Sequence, residues 1–517
     1  MIGIGIDVGG TNTDAVLLDG RNVVAAFKTP TTADVTEGIA AALEGVAARG
    51  GDRAQAARGL TIGTTHFVNA VVQRRGLNRV AALRLCLPAC ASLVPFIDWP
   101  ADLRAVVDGG AYLVGGGFEF DGRLVAPLDE VAVADAARQM RRDGVTAVAV
   151  TGVFSALSDA QERRAAEIVR QEHPEARITL SSDVGRIGLL ERENATLLNA
   201  ALLDLAQSTA AAFDAARIAS GLEARLFITQ NDGTVAPVER AQAFPVFSFA
   251  SGPTNSMRGA AFLSGLEEAA VCDVGGTTTD VGYLRHGFPR EANNVITVGG
   301  VRTLFRMPDV LSIALGGGTV VAGGADGITL GPHSVGHRLT QEARVFGGDT
   351  LTCTDIAVAG GLAEIGEARS VDVAPSVVEA CVRAIHGRVE DTVDRMKTDV
   401  REVPLIAVGG GAMLVPDVIP GISEVRRVEH HDVANAVGAA IAEVSGEIDR
   451  VYRDVDRREA LDDAQALAEA KAVEAGAAAE QVRTVEVEDF PLAYLPGNAL
   501  RVRVRVVGPL SGAEEVR

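Results

Sequence analysis

Two stretches decide the fold: MIGIGIDVGGTNTD at residues 1–14 and AVCDVGGTTTD at residues 270–280. Each is a short apolar run that opens into Asp-Val-Gly-Gly-Thr. The cores DVGGTNTD (7–14) and DVGGTTTD (273–280) differ only at Asn12 against Thr278, 266 positions apart, which marks an internal repeat on the scale of half a molecule. Two unrelated glycine-rich turns would rarely coincide over such a run in the same strand context. Extended segments follow each copy, AVLLDG and VVAAFKT after the first and VGYLRHG after the second, as a strand meander reads. A third apolar strand, PLIAVGGGA (404–412), ends in Gly409, Gly410 and Gly411.

Outward from these runs, helical patterns are expected at 36–48, 130–143, 159–172, 189–219 (with a weak break near Ser208) and 434–444. Strands are expected at 145–154, 176–184 and 226–232. Alternation of the two predicts an α/β fold with mainly parallel sheets, and the repeat predicts two such units. The expected division is residues 1–190, residues 191–447, and a small α+β appendix at 448–517. The appendix comprises an Ala/Glu-rich helix (459–475) and two strictly alternating segments, 484–490 and 498–508, that read as half-exposed antiparallel strands.

The chain has 517 residues, enough for two to four domains at roughly 150 residues each. With 48 Lys and Arg against 68 Asp and Glu, its formal charge of −20 argues against general nucleic-acid or anionic-membrane binding. Its 57 glycines and 4% aromatics suit many tight strand-to-helix turns. The five cysteines form no CxxC pair and no Cys/His metal spacing. Without a signal-peptide pattern or a long apolar run, the expected compartment is the cytoplasm.

A Gly-Gly-Thr turn after a buried strand lets the backbone approach a ligand closely. Its N–H groups and threonine hydroxyls form a concave donor surface suited to phosphate oxygens. Asp7 and Asp273 would repel an anion unless Mg²⁺ or another divalent cation, held partly through water, offsets the charge. The plainer alternative is that these two carboxylates cap the turns. Neither GxxxxGK[ST] nor GxGxxG follows a strand, which disfavours P-loop and Rossmann folds.

This constellation resembles the superfamily of sugar kinases, acetate kinase, actin and the heat-shock chaperone ATPases, in which two duplicated, ribonuclease H-like α/β domains close on ATP. Within it, residues 1 to about 450 resemble the hydantoinase A/oxoprolinase family. The resemblance rests on IDVGGTNTDAVLLD (6–19), IGTTHFVNAVVQRRG (62–76), SGP (251–253), CDVGGTTTDVG (272–282), SIALGGGT (312–319), LGPHSVGH (330–337), LTCTDIAVAGG (351–361), VGGGA (408–412) and VANAVGAAIA (433–442). It implies an ATP-dependent reaction on a hydantoin, 5-oxoproline or another lactam, with ketone-activating carboxylases among the relatives. It also implies a B-type partner subunit in a hetero-oligomer. A small-molecule kinase and a chaperone-like ATPase module are the rival functions.

On that resemblance Gly9, Gly10, Thr11, Asn12 and Thr13 form the first phosphate loop. Gly275, Gly276, Thr277 and Thr278 form the second, and Gly409, Gly410, Gly411 and Met413 the adenosine loop. Asp7 and Asp273 stand near the metal and are placed with Thr64, Thr65 and His66 in the catalytic group. Asn69, Asp309, Gly316, Gly317 and Gly318 lie toward the substrate. For Thr65 the alternative is a helix N-cap, for His66 an exposed capping residue, and for Gly316–Gly318 a structural turn. The sequence departs from the family pattern in three places. GTTHFVNA carries His66 and Val68 at variant positions, SGPTNS has Asn255 and Ser256 where the family usually has SGPAGG, and LTQEARVFGG replaces a Pro-Gly-Pro stretch. These changes are expected to touch acceptor and hinge surfaces and to spare the ATP loops. Family members usually carry a larger C-terminal domain than residues 448–517 provide.

Overall fold

A computed structural model describes residues 2–511 except 10, 32–34, 186–187, 293–294, 325–326, 368–370, 442, 494 and 496. Strands β1 (Ile2–Val8), β2 (Asn12–Asp19) and β3 (Asn22–Pro30) form an antiparallel meander, and helix α1 (Val35–Gly50) returns the chain to β4 (Gly59–Thr64), parallel to β1. Helix α2 (His66–Gln73) leads into a four-stranded parallel sheet in the order β6-β5-β7-β8, built from β5 (Val80–Leu87), β6 (Asp108–Gly115), β7 (Ala147–Gly152) and β8 (Arg177–Leu180). Helices α3 (Glu130–Arg142) and α4 (Ala160–Glu172) pack on it through Val133, Met140, Ala165 and Val169. Helices α5 (Leu189–Ala201) and α6 (Leu203–Ala219) bring the chain back to β9 (Arg225–Thr229) and β10 (Val235–Pro237) beside β4. The expected break near Ser208 falls at Leu202, and the strand expected to reach 184 gives way to a helical turn at Ser181–Val184.

Helix α7 (Ser251–Ser264) then crosses to a second sheet. There β11 (Ala269–Val274), β12 (Thr279–Arg285) and β13 (Phe288–Pro289) repeat the opening meander. The hairpin β14 (Ile296–Val298)–β15 (Val301–Thr303) follows, then β16 (Val310–Ile313) on β12 and the hairpin β17 (Thr319–Gly324)–β18 (Gly327–Ser334). Helix α8 (Pro375–Met396) precedes β19 (Val403–Val408), parallel to β11, and β20 (Ile422–Arg427). The two copies share a register: Asp7 pairs with Asp14 across β1–β2, and Asp273 with Asp280 across β11–β12. Each sheet has its own apolar core, with Ile4, Ile6, Leu43, Ile62 and Phe213 in one and Cys272, Val274, Ile385, Val389 and Leu405 in the other. Each fully buried Leu or Ile contributes about 1.5–3 kcal/mol.

Helix α9 (Ala434–Ala440) is shorter than expected, because the chain turns into β21 (Val444–Tyr452). Helix α10 (Arg457–Glu474), β22 (Arg483–Pro491) and β23 (Leu500–Gly508) complete the chain's described structure. The expected separate appendix is instead an extension of the first sheet, whose order is β22-β23-β21-β10-β9-β4-β1-β2-β3. The cuts expected at 190 and 447 therefore do not follow the sheets. Nor is β23 half-exposed: Val502, Val504 and Val506 pack under Ala460, Ala464 and Ala468 of α10, while Arg503 and Arg505 on the opposite face are also buried. These guanidiniums, with Arg306, lie among Asp232, Glu291, Glu447, Glu486 and Glu488, so charge pairing lets an arginine-bearing face be interior. Alternation in sequence reported two different faces, and both are covered.

Helices α7 and α9 pack backbone to backbone between the two sheets. A Cβ on Gly259 would stand 1.8 Å from the Ala434 carbonyl oxygen, and one on Gly438 the same distance from that of Asn255. Among the described residues no helix is long and apolar enough to cross a membrane. Replacing Gly259 or Gly438 by Ala forces the helices apart and is expected to cost about 1–3 kcal/mol of stability each. Urea unfolding checks this, and an unchanged midpoint for both variants would refute the close crossing.

Candidate functional site

The repeated sequence folds into a repeated turn. Gly9 N–H donates to the Asn12 carbonyl at 3.0 Å, and Gly275 N–H to that of Thr278 at 2.9 Å. The two turns touch each other: a Cβ on Gly276 would lie 2.6 Å from Thr11 Oγ1. Thr11, Asn12 and Thr277 are half-buried and Thr278 is exposed, so these side chains border accessible space. Thr13 does not, being fully buried with its hydroxyl 3.3 Å from that of Thr31. Its counterpart Thr279 is likewise turned inward, donating to the Leu315 carbonyl. Gly10 lies outside the described residues.

Asp7 ends β1 in a buried setting between three elements. Asn255 Nδ2 on α7 donates to its Oδ1 at 2.9 Å, and Asn435 Nδ2 on α9 donates to its Oδ2 at 3.0 Å. Gly63 of β4 closes the third side, since a Cβ there would meet Asp7 Oδ1 at 2.5 Å and Asn255 Nδ2 at 2.1 Å. Burial pushes the Asp7 carboxyl up to about 7, against the two amide donors and with the charges of Asp14 and Asp273 adding to the rise. Asp273 ends β11 in the same way, accepts the Ser256 hydroxyl, and is raised by burial against that donor and against Lys28. Asp280 is pushed by burial to about 6, opposed by Ser312. Asp14 is raised by burial and steadied by Lys28 Nζ at 3.0 Å.

The third glycine run adjoins Asp273. Gly409 has φ +86°, and a Cβ on it would lie 2.3 Å from Asp273 Oδ1, so both conformation and space require glycine there. Gly411 N–H donates to the Val274 carbonyl at 2.7 Å, and Gly410 is exposed. Met413 packs against the core of the second sheet. Gly316–Gly318 also meet the second turn, but as its brace. The N–H groups of Gly317 and Gly318 donate to the Gly275 and Gly276 carbonyls at 3.0 and 2.8 Å, and Gly316 N–H to Thr319 Oγ1 at 2.8 Å. Their donors are thereby engaged inside the protein.

Thr64 pairs with Val8 at the end of β4, one strand from Asp7. Ser251 at the start of α7 brackets it, accepting from Thr64 N–H at 3.1 Å and donating to its carbonyl at 2.8 Å. Thr65 is the N-terminal flank of α2 but makes no side-chain cap, and it accepts from Asn69 Nδ2 at 3.2 Å. His66, half-buried, donates its backbone N–H to Thr64 Oγ1 at 3.1 Å. The structure thus gathers Asp7, Asp273, the two turns, Gly409 and the Thr64–His66 segment, and leaves Asp309 apart. Asp309 precedes β16 at the end of β12 remote from the turn, where Arg290 holds its Oδ2 at 2.7 and 3.0 Å. A cavity of about 110 Å³ near Arg290, lined by Tyr283, Arg285, Lys397 and Arg401, also lies at that remote end.

The departures at Asn255 and Ser256 prove to contact the aspartates themselves, contrary to expectation, because α7 runs between the two turns. Asn435 joins the site as well, and the sequence signal for it is a polar residue within the Ala/Val helix of VANAVG. Among the described residues no cluster of three or more His, Cys, Asp or Glu could hold a metal. A buried and a half-buried carboxylate, Asp7 and Asp273, at the mouth of anion-suited turns nevertheless fit Mg²⁺, which takes one or two carboxylates and fills its sphere with water and phosphate oxygens.

Comparison with known proteins gives a consistent picture. The model of the hydantoinase/oxoprolinase N-terminal region matches residues 3–173, and the hydantoinase/oxoprolinase model matches residues 192–368. The acetophenone carboxylase gamma subunit of Aromatoleum aromaticum is 28% identical over 400 residues, covering 69% of this chain and 53% of that protein. The caprolactamase subunit alpha of Pseudomonas jessenii is 27% identical over 383 residues, covering 69% and 54%. The chain spans about half the length of these relatives. The crystal structure of ATP-dependent caprolactamase from Pseudomonas jessenii superposes with a TM-score of 0.76 at 21% identity, over 98% of this chain and 88% of that one. The nucleotide-free acetone carboxylase structure gives 0.71 at 17%, over 99% and 88%, so the mixed α/β fold is shared.

The raised Asp7 carboxyl has a measurable consequence. The folded chain keeps a proton there that the unfolded chain releases above an ordinary value of 3.8, so the metal-free protein loses stability as pH rises from about 4 to 7. A shift of this size corresponds to on the order of 4 kcal/mol. Asp7→Asn removes that titration, so its stability relative to the parent should improve between pH 5 and 7.5. Denaturant unfolding at both values tests this, and a constant difference would contradict it.

Proposed function

Because the chain belongs to the hydantoinase/oxoprolinase family, we propose that it is an ATP-dependent alpha-type subunit that activates the carbonyl of a cyclic amide for ring opening. The two β-meander units act as duplicated actin-like domains that close on the nucleotide. The observation that carries this is the opposed pair of Asp-Val-Gly-Gly-Thr turns, identical in register and in contact through Gly276 and Thr11.

In this mechanism Thr11, Asn12, Thr277, Thr278 and the backbone N–H groups of the turns hold the phosphates, while the Gly409–Gly411 loop borders the adenosine. Asp7 and Asp273 would hold bound Mg²⁺, which would neutralise phosphate charge. Positioning and charge neutralisation are the main work in phosphoryl transfer. The amide oxygen attacks the γ-phosphorus, the bond to the bridging oxygen breaks, and ADP leaves with the electron pair. Water then adds to the phosphorylated ring carbon, the C–N bond breaks as the nitrogen takes up a proton, and a second water cleaves the resulting acyl phosphate to carboxylate and phosphate. This second stage is assigned to a B-type partner in a hetero-oligomer, a reading supported by the relatives being a gamma and an alpha subunit. Thr64–His66 lie next to Asp7 and are assigned to the acceptor side. Domain closure gates the reaction.

A second reading has a specific support. The acetophenone carboxylase relative is as similar as the caprolactamase one, and a ketone enolate oxygen can accept phosphate by the same geometry. Turnover of ATP by this chain, alone and with a B-type protein, against lactams, hydantoins and ketones with and without bicarbonate separates the two. Ring-opened product supports the amide reading, and bicarbonate-dependent carboxylation the ketone reading. Asp7→Ala and Asp273→Ala are each expected to lower turnover by at least 100-fold. Full activity in both variants would dismiss the paired-turn clamp.

A further inference from the structure

Helix α7 presents two consecutive polar side chains to two carboxylates that lie 266 positions apart in sequence: Asn255 to Asp7 and Ser256 to Asp273. Successive helical residues point about 100° apart, so one turn of one helix reaches both halves of the molecule. The helix is fixed against both. Ser251 brackets Thr64 of the first sheet, and Arg258 donates to the Gly287 carbonyl of the second at 2.7 Å. Gly259 is pressed against α9, which carries Asn435. All of Asn255, Ser256 and Arg258 are buried.

The two carboxylates are held differently. Each oxygen of Asp7 receives an amide N–H, one from Asn255 and one from Asn435, which fixes the carboxylate plane from both sides. Asn435 is itself oriented, because its Oδ1 accepts the Ala436 N–H at 3.0 Å. Asp273 receives a single hydroxyl on Oδ2, while its Oδ1 lies against Gly409. A helix that bonds to both therefore sets not only their orientations but the gap between them. We infer that Asn255 and Ser256 are positioning residues that set the spacing of Asp7 and Asp273 for a divalent cation bound with the nucleotide.

This inference rests on the nucleotide reading above and concerns only the cation-dependent part of binding. The test is equilibrium binding of a fluorescent ATP analogue to the full chain, titrated with Mg²⁺ and repeated in a chelator, for the parent and for Asn255→Ala, Ser256→Ala and Ser256→Thr. The expected result is an apparent Mg²⁺ affinity at least 10-fold weaker in both alanine variants, with chelator-state binding within about twofold of the parent. Ser256→Thr, which keeps the hydroxyl, should recover most of the loss. Ser256→Ala removes a single oxygen and carries the test if Asn255→Ala does not fold. An unchanged Mg²⁺ affinity in Ser256→Ala, or an equal fall with and without Mg²⁺, would overturn the inference while leaving the nucleotide site in place. A parent that binds no nucleotide in either condition would overturn both.

Discussion

The passage of α7 between the two sheets is the constraint on which the rest depends. Its backbone meets α9 where Gly259 and Gly438 leave no space for side chains, and both helices then reach Asp7 with an amide. Wider packing would withdraw Asn255 and Asn435 and leave a buried carboxylate without donors, which costs far more than a lost surface contact. Small residues at the crossing and polar residues beside it are thus one device.

Burial also gives the site its electrostatic character. Asp7, Asp14, Asp273 and Asp280 are all raised by desolvation, so the region of the two turns gathers carboxyl groups that are poorly solvated as anions. On the proposed function, a cation entering with a polyphosphate would relieve that cost, whereas a phosphate alone would meet negative charge. The acidic balance of the chain therefore does not conflict with an anion site made from backbone N–H groups. Elsewhere the same balance recurs in reverse: carboxylates surround the buried Arg503 and Arg505 and the half-buried Arg306, and this joins β21–β23 to the segment around Glu291.

Much of the fold was legible because repeated backbone chemistry has few solutions. Asp-Val-Gly-Gly-Thr at the end of an apolar strand specified both turns, and Gly409 specified the loop beside Asp273. The destination of β21–β23 was not legible. Alternation in NALRVRVRVVG indicates two unlike faces, but it does not say that carboxylates from Asp232 to Glu488 will cover the charged one. Likewise Gly316–Gly318 were expected toward the substrate, with a structural turn as the alternative, and only the hydrogen bonds to Gly275 and Gly276 reveal a brace. Asn255 was visible as a departure from the family pattern. Its target, more than two hundred positions earlier, is a tertiary fact.

The central claim is that the two turns act on one nucleotide. Hydrogen–deuterium exchange of the full chain, with and without a non-hydrolysable ATP analogue and Mg²⁺, tests this most directly. The account predicts that peptides covering residues 7–14 and 273–280 gain protection together, at the same analogue concentration. Protection of only one peptide, or of neither while the analogue is bound, would contradict it.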